Sequence, residues 1–381
     1  MKARVIAFYL PQFHPTPEND KFWGKGFTEW TNVAKAKPLF RKHNQPRIPA
    51  DLGYYDLRMP EVREQQAELA REAGIEGFCY WHYWFGNGVQ TLEMPFEEVL
   101  KSKKPDFPFC LGWANHTWST KTWDKDKSNS EDTLIFEQMY PGQSDYEAHF
   151  YHILPAFKDR RYITVDGKPL FYVWDPKGIP NSTKFINLWQ KLARENGLKG
   201  IYFIAKVDPL GTLSVNNIKD VESGFSDRYQ EVLKLGYDGV NSHTLKYAEL
   251  NANGKIKKIF YAFTRKYLNS MFVEKYRYRD IIRYFNTKED YQENVFPQLI
   301  PGRDRSPRSG KMAVVYYENS PSEFRKAVRN SLECVKNKEY EHKLIFLNSW
   351  NEWAEGAYME PDTIYGKGFI QVLREELEAD D

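Results

Sequence analysis

The chain has 381 residues, a formal net charge of +2 at pH 7, and 25 Tyr, 25 Phe and 11 Trp. That length allows a substantial core, and the near-neutral charge excludes a global electrostatic pull toward nucleic acid or an acidic membrane surface. Many tryptophans stand beside polar residues rather than inside apolar runs, as in a cleft where sugar C–H faces stack on rings and hydroxyls find hydrogen bonds.

In chain order, Val5 to Leu10 reads as a buried strand closed by Pro11. Its basic start precedes an apolar run too short for a signal peptide, without a small-residue cleavage site, so the expected location is cytoplasmic. A long Gly- and Pro-punctuated stretch follows to about Asp56, a length that is usually functional. Pro60 opens a helix over Glu61–Glu72, ended by Gly74. Gly77–Phe85 is the second strand, nearly all aromatic in its C-terminal half, and a helix covers about Leu92–Ser102. Phe107–Trp113 is the third strand, and Lys121–Asp132 a charged, solvated loop. After a helix over about Asp145–Phe157 comes the fourth strand, Lys168–Asp175. The helix Lys184–Asn196 leads to a fifth strand, Gly200–Ala205. Gly236–His243 is a weaker sixth, and a Tyr- and Arg-rich helical region spans about Thr264–Tyr284. Asn294–Ile300 is the candidate seventh strand, with Met312–Tyr317 as its rival. A helix over Ser322–Lys336 precedes the eighth strand, Leu344–Leu347, and Gly368–Ala379 is a final helix. No segment reaches the length of a membrane span. Cys79, Cys110 and Cys334 are odd in number and lack CxxC spacing, which suits free buried thiols rather than disulfides or a metal site.

A strand, a polar aromatic loop and a helix recur about eight times without a linker, which predicts one (β/α)8 barrel over residues 1–381. A doubly wound sheet is the rival, but no Gly-rich dinucleotide fingerprint follows the first strand. In such a barrel, functional groups gather at the C-terminal ends of the strands. Those ends carry Tyr9, Gln12 and His14, then Trp81, His82 and Trp84, then Trp113, Asn115 and His116, then Asp175, Asn241, His243 and Asp304, and finally Asn348 and Trp350. Glu29 and Trp30 stand in the long first loop. The sharpest pair is Glu352 and Glu355. Cleaving a glycosidic bond needs a proton for the leaving oxygen and a second carboxylate. Residues three apart share a face on a helical turn, and Asn351–Gly356 is placed to form one. Trp350 and Trp353 would supply apolar surroundings that raise one carboxyl pKa. Glu360 is a weaker, supporting candidate. Individually, a histidine here is more often structural, Asp175 would serve as a helix cap, and alternate aromatics of Tyr80–Phe85 belong to the core.

Asn351-Glu352-Trp353-Ala354-Glu355-Gly356, with Glu360-Pro361, resembles the C-terminal signature of glycoside hydrolase family 99, the endo-α-mannosidases and endo-α-mannanases. The wider pattern is similar to the WbsX-type domain of bacterial O-antigen and capsule clusters, often labelled a glycosyltransferase. It is carried by Phe8-Tyr9-Leu10-Pro11-Gln12-Phe13-His14-Pro15, Trp23-Gly24-Lys25-Gly26-Phe27-Thr28-Glu29-Trp30, Asp51-Leu52-Gly53-Tyr54-Tyr55-Asp56, Trp113-Ala114-Asn115 and Asn348-Ser349-Trp350-Asn351-Glu352-Trp353. The resemblance covers nearly the whole chain. It implies a (β/α)8 barrel and a retaining mechanism. One carboxylate deprotonates the sugar's 2-hydroxyl, which attacks the anomeric carbon to give a 1,2-anhydro sugar, while the other serves as acid and then base. On the matching positions Glu352 is the 2-hydroxyl base and Glu355 the acid/base. Two departures stand out. Ala354 replaces the hydrolases' usual His, and Pro301-Gly302-Arg303-Asp304-Arg305 replaces the related domain's Trp-Asp-Asn arrangement, making that part of the mouth more cationic, as an acidic sugar or phosphate would need.

The expected function is therefore a retaining glycoside hydrolase on a bacterial surface polysaccharide, with mannose-type stereochemistry, no metal and no cofactor. The alternatives are a glycosyltransferase in O-antigen, lipopolysaccharide or capsule assembly and a non-catalytic glycan-binding protein. Against transfer from a nucleotide sugar, the nearest DxD motif is Asp124-Lys125-Asp126, in a charged loop. The expected partner is an oligosaccharide or polysaccharide, not nucleic acid.

Overall fold

The computed structural model describes residues 2–120, 132–210, 224–267 and 272–379. The stretch 121–131, with Asp124-Lys125-Asp126, lies outside them. Nine parallel strands form a nearly closed barrel: β1 (Arg4–Tyr9), β2 (Gly77–His82), β3 (Phe109–Trp113), β4 (Lys168–Val173), β5 (Tyr202–Val207), β6 (Gly239–Ser242), β7 (Val295–Phe296), β8 (Gln298–Leu299) and β9 (Leu344–Leu347). β1 lies between β2 and β9, pairing Ile6 with Gly77 and Arg4 with Leu344. The expected seventh strand is split at Pro297, which has no N–H for a ladder. Its first half pairs with β6 and its second with β9, and the Pro297 carbonyl accepts from the Phe346 N–H at 3.1 Å. Together the halves bridge the barrel shut. The rival run does not compete for that place: Val314–Tyr317 pairs with Glu274–Arg277 in a separate two-stranded sheet.

Helices alternate with these strands outside the barrel. Pro321–Val335 shows the local logic: the Ser320 hydroxyl accepts from the Glu323 N–H, proline opens the first turn, and Phe324, Ala327, Val328, Leu332 and Val335 face the core. The helical region expected over Thr264–Tyr284 is borne out at its ends, to Tyr267 and over Tyr278–Tyr284, and corrected between them. A helical segment runs over Leu245–Tyr267, interrupted at Gly254 (φ 69°), and Glu274–Arg277 is extended. The long first loop contains two short helices, Pro17–Trp23 and Glu29–Lys35.

Period-two alternation sorts the aromatic strands. Phe8 stacks on Trp81 at 4.6 Å and meets Tyr172 and Phe346 at 4.9 and 5.7 Å. These rings fill the barrel, and the Tyr172 hydroxyl donates to Asn241 Oδ1 at 2.9 Å. The intervening residues Tyr9 and Tyr80 meet each other at 4.5 Å and turn outward; Tyr80 meets Phe96 of the helix Met94–Ser102. The three cysteines are buried free thiols. No helix among the described residues is long and apolar enough to cross a membrane.

Candidate active site

After β9 the chain makes the turn that presents the two carboxylates. Asn351–Glu352 pairs antiparallel with Ala357–Tyr358, and Trp353–Glu355 between them forms one turn of 3-10 helix. The Ser349 hydroxyl ties the base of this hairpin, donating to the Ala357 carbonyl and accepting from the Glu352 N–H, both at 2.9 Å. Gly356 closes the turn at φ 60°, where an added Cβ would lie 2.7 Å from both the Cβ and the backbone nitrogen of Asp304. Glycine is required there both for its left-handed backbone and for this approach. Glu352 and Glu355 consequently line one cavity of ≈ 270 Å³.

Glu352 accepts from the Trp81 indole N–H at 3.4 Å. Its pKa is raised to about 7, first by burial and then by the charges of Glu355 and Glu29, with Arg308 and the Trp81 bond opposing them. Glu355 is held by arginine: Arg308 Nη1 lies 2.6 Å and Arg305 Nη2 3.2 Å from its Oε1. Arg308 also reaches Glu29 Oε1 at 2.6 Å, and Glu29 is fully buried. The same Glu29 oxygen accepts from the Ala354 N–H at 3.2 Å. Burial raises the Glu29 pKa, with Arg308 opposing. A buried Glu29–Arg308–Glu355 bridge thus fixes the turn from behind through short, charge-assisted bonds.

Leu10, Trp81, Tyr83, Ala114, His116, Trp118, Trp174, His243, Arg303, Arg305, Arg308 and Asn348 complete the lining with the two glutamates. Of the residues expected from sequence, Trp81, His116, His243, Asn348, Glu352 and Glu355 meet there. Others are placed elsewhere by strand parity or by prior bonds. Tyr9 faces the helix layer, its hydroxyl 2.7 Å from Gln66 Oε1. His82 meets His149 at 2.8 Å, Trp84 stacks on the same imidazole at 4.7 Å, and the Trp113 indole donates to the Trp84 carbonyl. Asn115 Nδ2 donates to the Asp175 carbonyl at 2.7 Å, and the Asp175 carboxylate caps the turn at Gly178. Gln12 and His14 are buried in the first loop; the Gln12 carbonyl accepts from the Glu29 N–H. Trp30 packs on Trp353 at 5.3 Å and donates to the Tyr55 carbonyl. Trp350 is fully buried beside Phe78. Glu360 accepts from Tyr55, Gln66 and Trp353 at 2.9, 2.6 and 2.6 Å. Asp304 leaves the mouth to bind His43 and Gln45, and Asn241 sits inside the barrel. Trp350 packs on Phe78 and Trp353 on Trp30 and Tyr358, and the raised Glu352 carboxyl meets the Trp81 indole N–H, a bond that opposes the rise caused by burial. Sequence reasoning missed Trp174, one position before Asp175, and Arg308, whose Ser-Pro-Arg-Ser context carries no chemical signature. Among the described residues no cluster of His, Cys, Asp and Glu could hold a metal ion.

A barrel whose strand ends frame two carboxylates, three arginines and an aromatic wall defines a carbohydrate-active class of protein. The chain belongs to the family described as Glycosyltransferase WbsX, whose profile matches residues 5–373. It is 33% identical over 378 residues to WxcX of Xanthomonas campestris pv. campestris strain B100, a match covering 99% of this chain and 50% of that protein; a second strain's WxcX matches equally. The chain thus spans about half the length of the curated relatives it matches. Among solved structures, a glycoside hydrolase-like protein superposes with a TM-score of 0.61 at 16% identity, covering 99% of this chain and 94% of that one. The GH99 endo-alpha-mannosidase of Bacteroides thetaiotaomicron superposes with a TM-score of 0.54 at 14% identity, covering 99% and 97%. At these identities the likeness is one of fold.

Proposed function

We propose that the protein is a retaining glycoside hydrolase acting on a bacterial surface polysaccharide, with Glu352 as base toward the sugar's 2-hydroxyl and Glu355 as acid/base. The observation that carries this reading is the pairing of two carboxylates of unlike environment in one cavity: Glu352 beside Trp81, Glu355 against Arg305 and Arg308. A base with a pKa of about 7 is matched to working pH, where enough of it is ionised and it remains strong enough to take a hydroxyl proton. Trp81 and Trp174 offer ring faces for the sugar. A mannose-type α-glycoside is the favoured substrate, by resemblance to family 99. Screening surface polysaccharides for released product tests the reading: Glu352→Gln and Glu355→Gln should each lower release by about 10²–10⁴-fold with the melting temperature kept. Full release in both variants would overturn it.

A second reading, transfer to a growing O-antigen or capsule glycan, is favoured by the family's description. In that case the same variants abolish extension of an acceptor from an activated sugar donor, and no free sugar accumulates from polysaccharide alone.

A further inference from the structure

The arginines of the cavity are unequally committed. Arg308 and Arg305 are held by Glu355, and Arg308 also by Glu29. Arg303 lines the same cavity, yet among the described residues its guanidinium has no hydrogen bond or ion pair, and its Nε is buried without an acceptor. The carboxylates that act on it from further off are Glu355, Glu249 and Glu352. Each is engaged elsewhere: Glu355 as above, Glu352 by the Trp81 indole, and Glu249 by Lys258 at 3.1 Å and Tyr316 at 3.0 Å. Backbone bonds fix the segment, since the Arg303 carbonyl accepts from the Tyr316 N–H at 2.6 Å. Leaving a guanidinium unpaired in a concave site is costly unless a ligand supplies the counter-charge.

The neighbouring groups have the same bias. Trp174 meets Trp81 at 5.3 Å, and the rings of His243 and His116 lie 6.0 and 6.3 Å from it. His243 Nδ1 and His116 Nδ1 are both buried without partners. Lys206 Nζ stands 3.5 Å from the centre of the Trp174 ring; among the described residues no carboxylate pairs with it directly, and Asp208 and Asp175 act on it from further off. Burial depresses the His243 pKa first, and Lys206 and Arg303 lower it further, so that imidazole stands neutral within their positive field. From Glu352 the wall therefore runs through Trp81 and Trp174 to a corner made of one unpaired guanidinium and two imidazoles, with the Lys206 ammonium against the Trp174 ring.

We propose that this corner is a subsite for an acidic substituent, so that the glycan recognised carries an anionic sugar, with its ring on Trp174 and its negative group on Arg303. This rests on the glycan reading above and adds the substrate's charge to it. A carboxylate, as in a uronic acid, and a phosphate ester share the chemistry a guanidinium fork selects.

The test reads binding rather than turnover, so its result is independent of whether Glu352 and Glu355 are catalytic. D-glucose, D-glucuronate and D-glucose 6-phosphate differ only at C6, and titration of each into the full chain is followed by quenching of the tryptophans that line the cavity. One or both acids should bind about tenfold to a hundredfold more tightly than glucose, the margin of a hydrogen bond to a charged group. Whichever acid binds more tightly assigns carboxylate or phosphate. Arg303→Gln should erase the preference, while Arg303→Lys, which keeps the charge and loses the fork, should retain part of it. The comparison on the unmodified protein needs no variant, so a misfolded Arg303→Gln chain leaves the test decisive. Equal binding of the three sugars, no saturable binding by either acid, or a preference that survives in folded Arg303→Gln would each overturn the proposal.

Discussion

Glu352 and Arg308 each have a consequence that one side chain can test. With Glu352 as base, its ionised form is the reactive one. Burial places that ionisation at about 7, so kcat/KM should climb with pH through about 7 and level off above it. If Glu352 instead donates the proton, kcat/KM falls through the same pH and the two glutamates exchange roles. A pH–rate profile on the polysaccharide that the screen identifies decides between them. Arg308 is a structural cation as much as a functional one. Only 7% exposed, it faces the fully buried Glu29. Arg308→Met leaves that carboxylate without its guanidinium, and breaking a buried pair from one side costs about 3–5 kcal/mol. Adding Glu29→Gln removes the stranded charge, so the double variant should be more stable than Arg308→Met alone. Urea unfolding of Arg308→Met, Glu29→Gln and the double variant measures this; additive losses would show that the bridge does not couple the two residues.

At the scale of the element, everything depends on the hairpin after β9. Gly356→Ala forces a side chain into the left-handed region and against Asp304, whose Cβ and nitrogen would lie 2.7 Å away. It should cost about 1–3 kcal/mol and, by shifting the Trp353–Glu355 turn, lower kcat more than it raises KM. A variant with native stability and kcat would show that the turn tolerates the change. This hairpin was legible in sequence because a buried apolar run stops at a Gly-containing, acid-rich turn, and the other strands were legible for the same reason of apolar runs and punctuation. What stayed hidden was orientation. Tyr9, His82, Trp84 and Trp113 occupy strands or strand ends, as expected, yet point at the helices. Their parity depends on register with neighbouring strands, which an aromatic-rich stretch such as Tyr80–Phe85 does not reveal, having no polar face to mark the outside. The helix Glu29–Lys35 was hidden inside a long loop. Only the Thr28–Thr31 pair hinted at a helix start, the Thr31 hydroxyl accepting from the Thr28 N–H at 3.2 Å.

For the whole molecule, the number of titratable groups buried without a full counter-charge makes stability a function of pH with two opposing slopes. Burial lowers the pKa values of His82, His116, His149 and His243. Their neutral forms stabilise the fold above the ordinary histidine value, and that contribution is lost as pH falls. Glu360 has the opposite sign. It is 3% exposed, and burial outweighs the three bonds it accepts from Tyr55, Gln66 and Trp353, pushing it from 4.5 up to about 7. A raised folded pKa means the native state binds the proton more tightly than the unfolded chain. The stabilisation is present in full below 4.5 and disappears as pH rises through about 7. Because the histidines are common to both proteins, comparing the native chain with Glu360→Gln isolates the carboxyl. The native protein's advantage in melting temperature should be largest near pH 5 and shrink by pH 8. Over the whole titration the stability difference between the two proteins should change by about 3 kcal/mol, since each tenfold gain in proton affinity on folding is worth about 1.4 kcal/mol. Thermal melts of both proteins at the two pH values check it. A difference that stays constant would mean that Glu360 is ionised throughout, with its three donors outweighing the cost of burial. In that case Trp353, and with it the turn carrying Glu355, would be anchored by a charge rather than by a neutral acid.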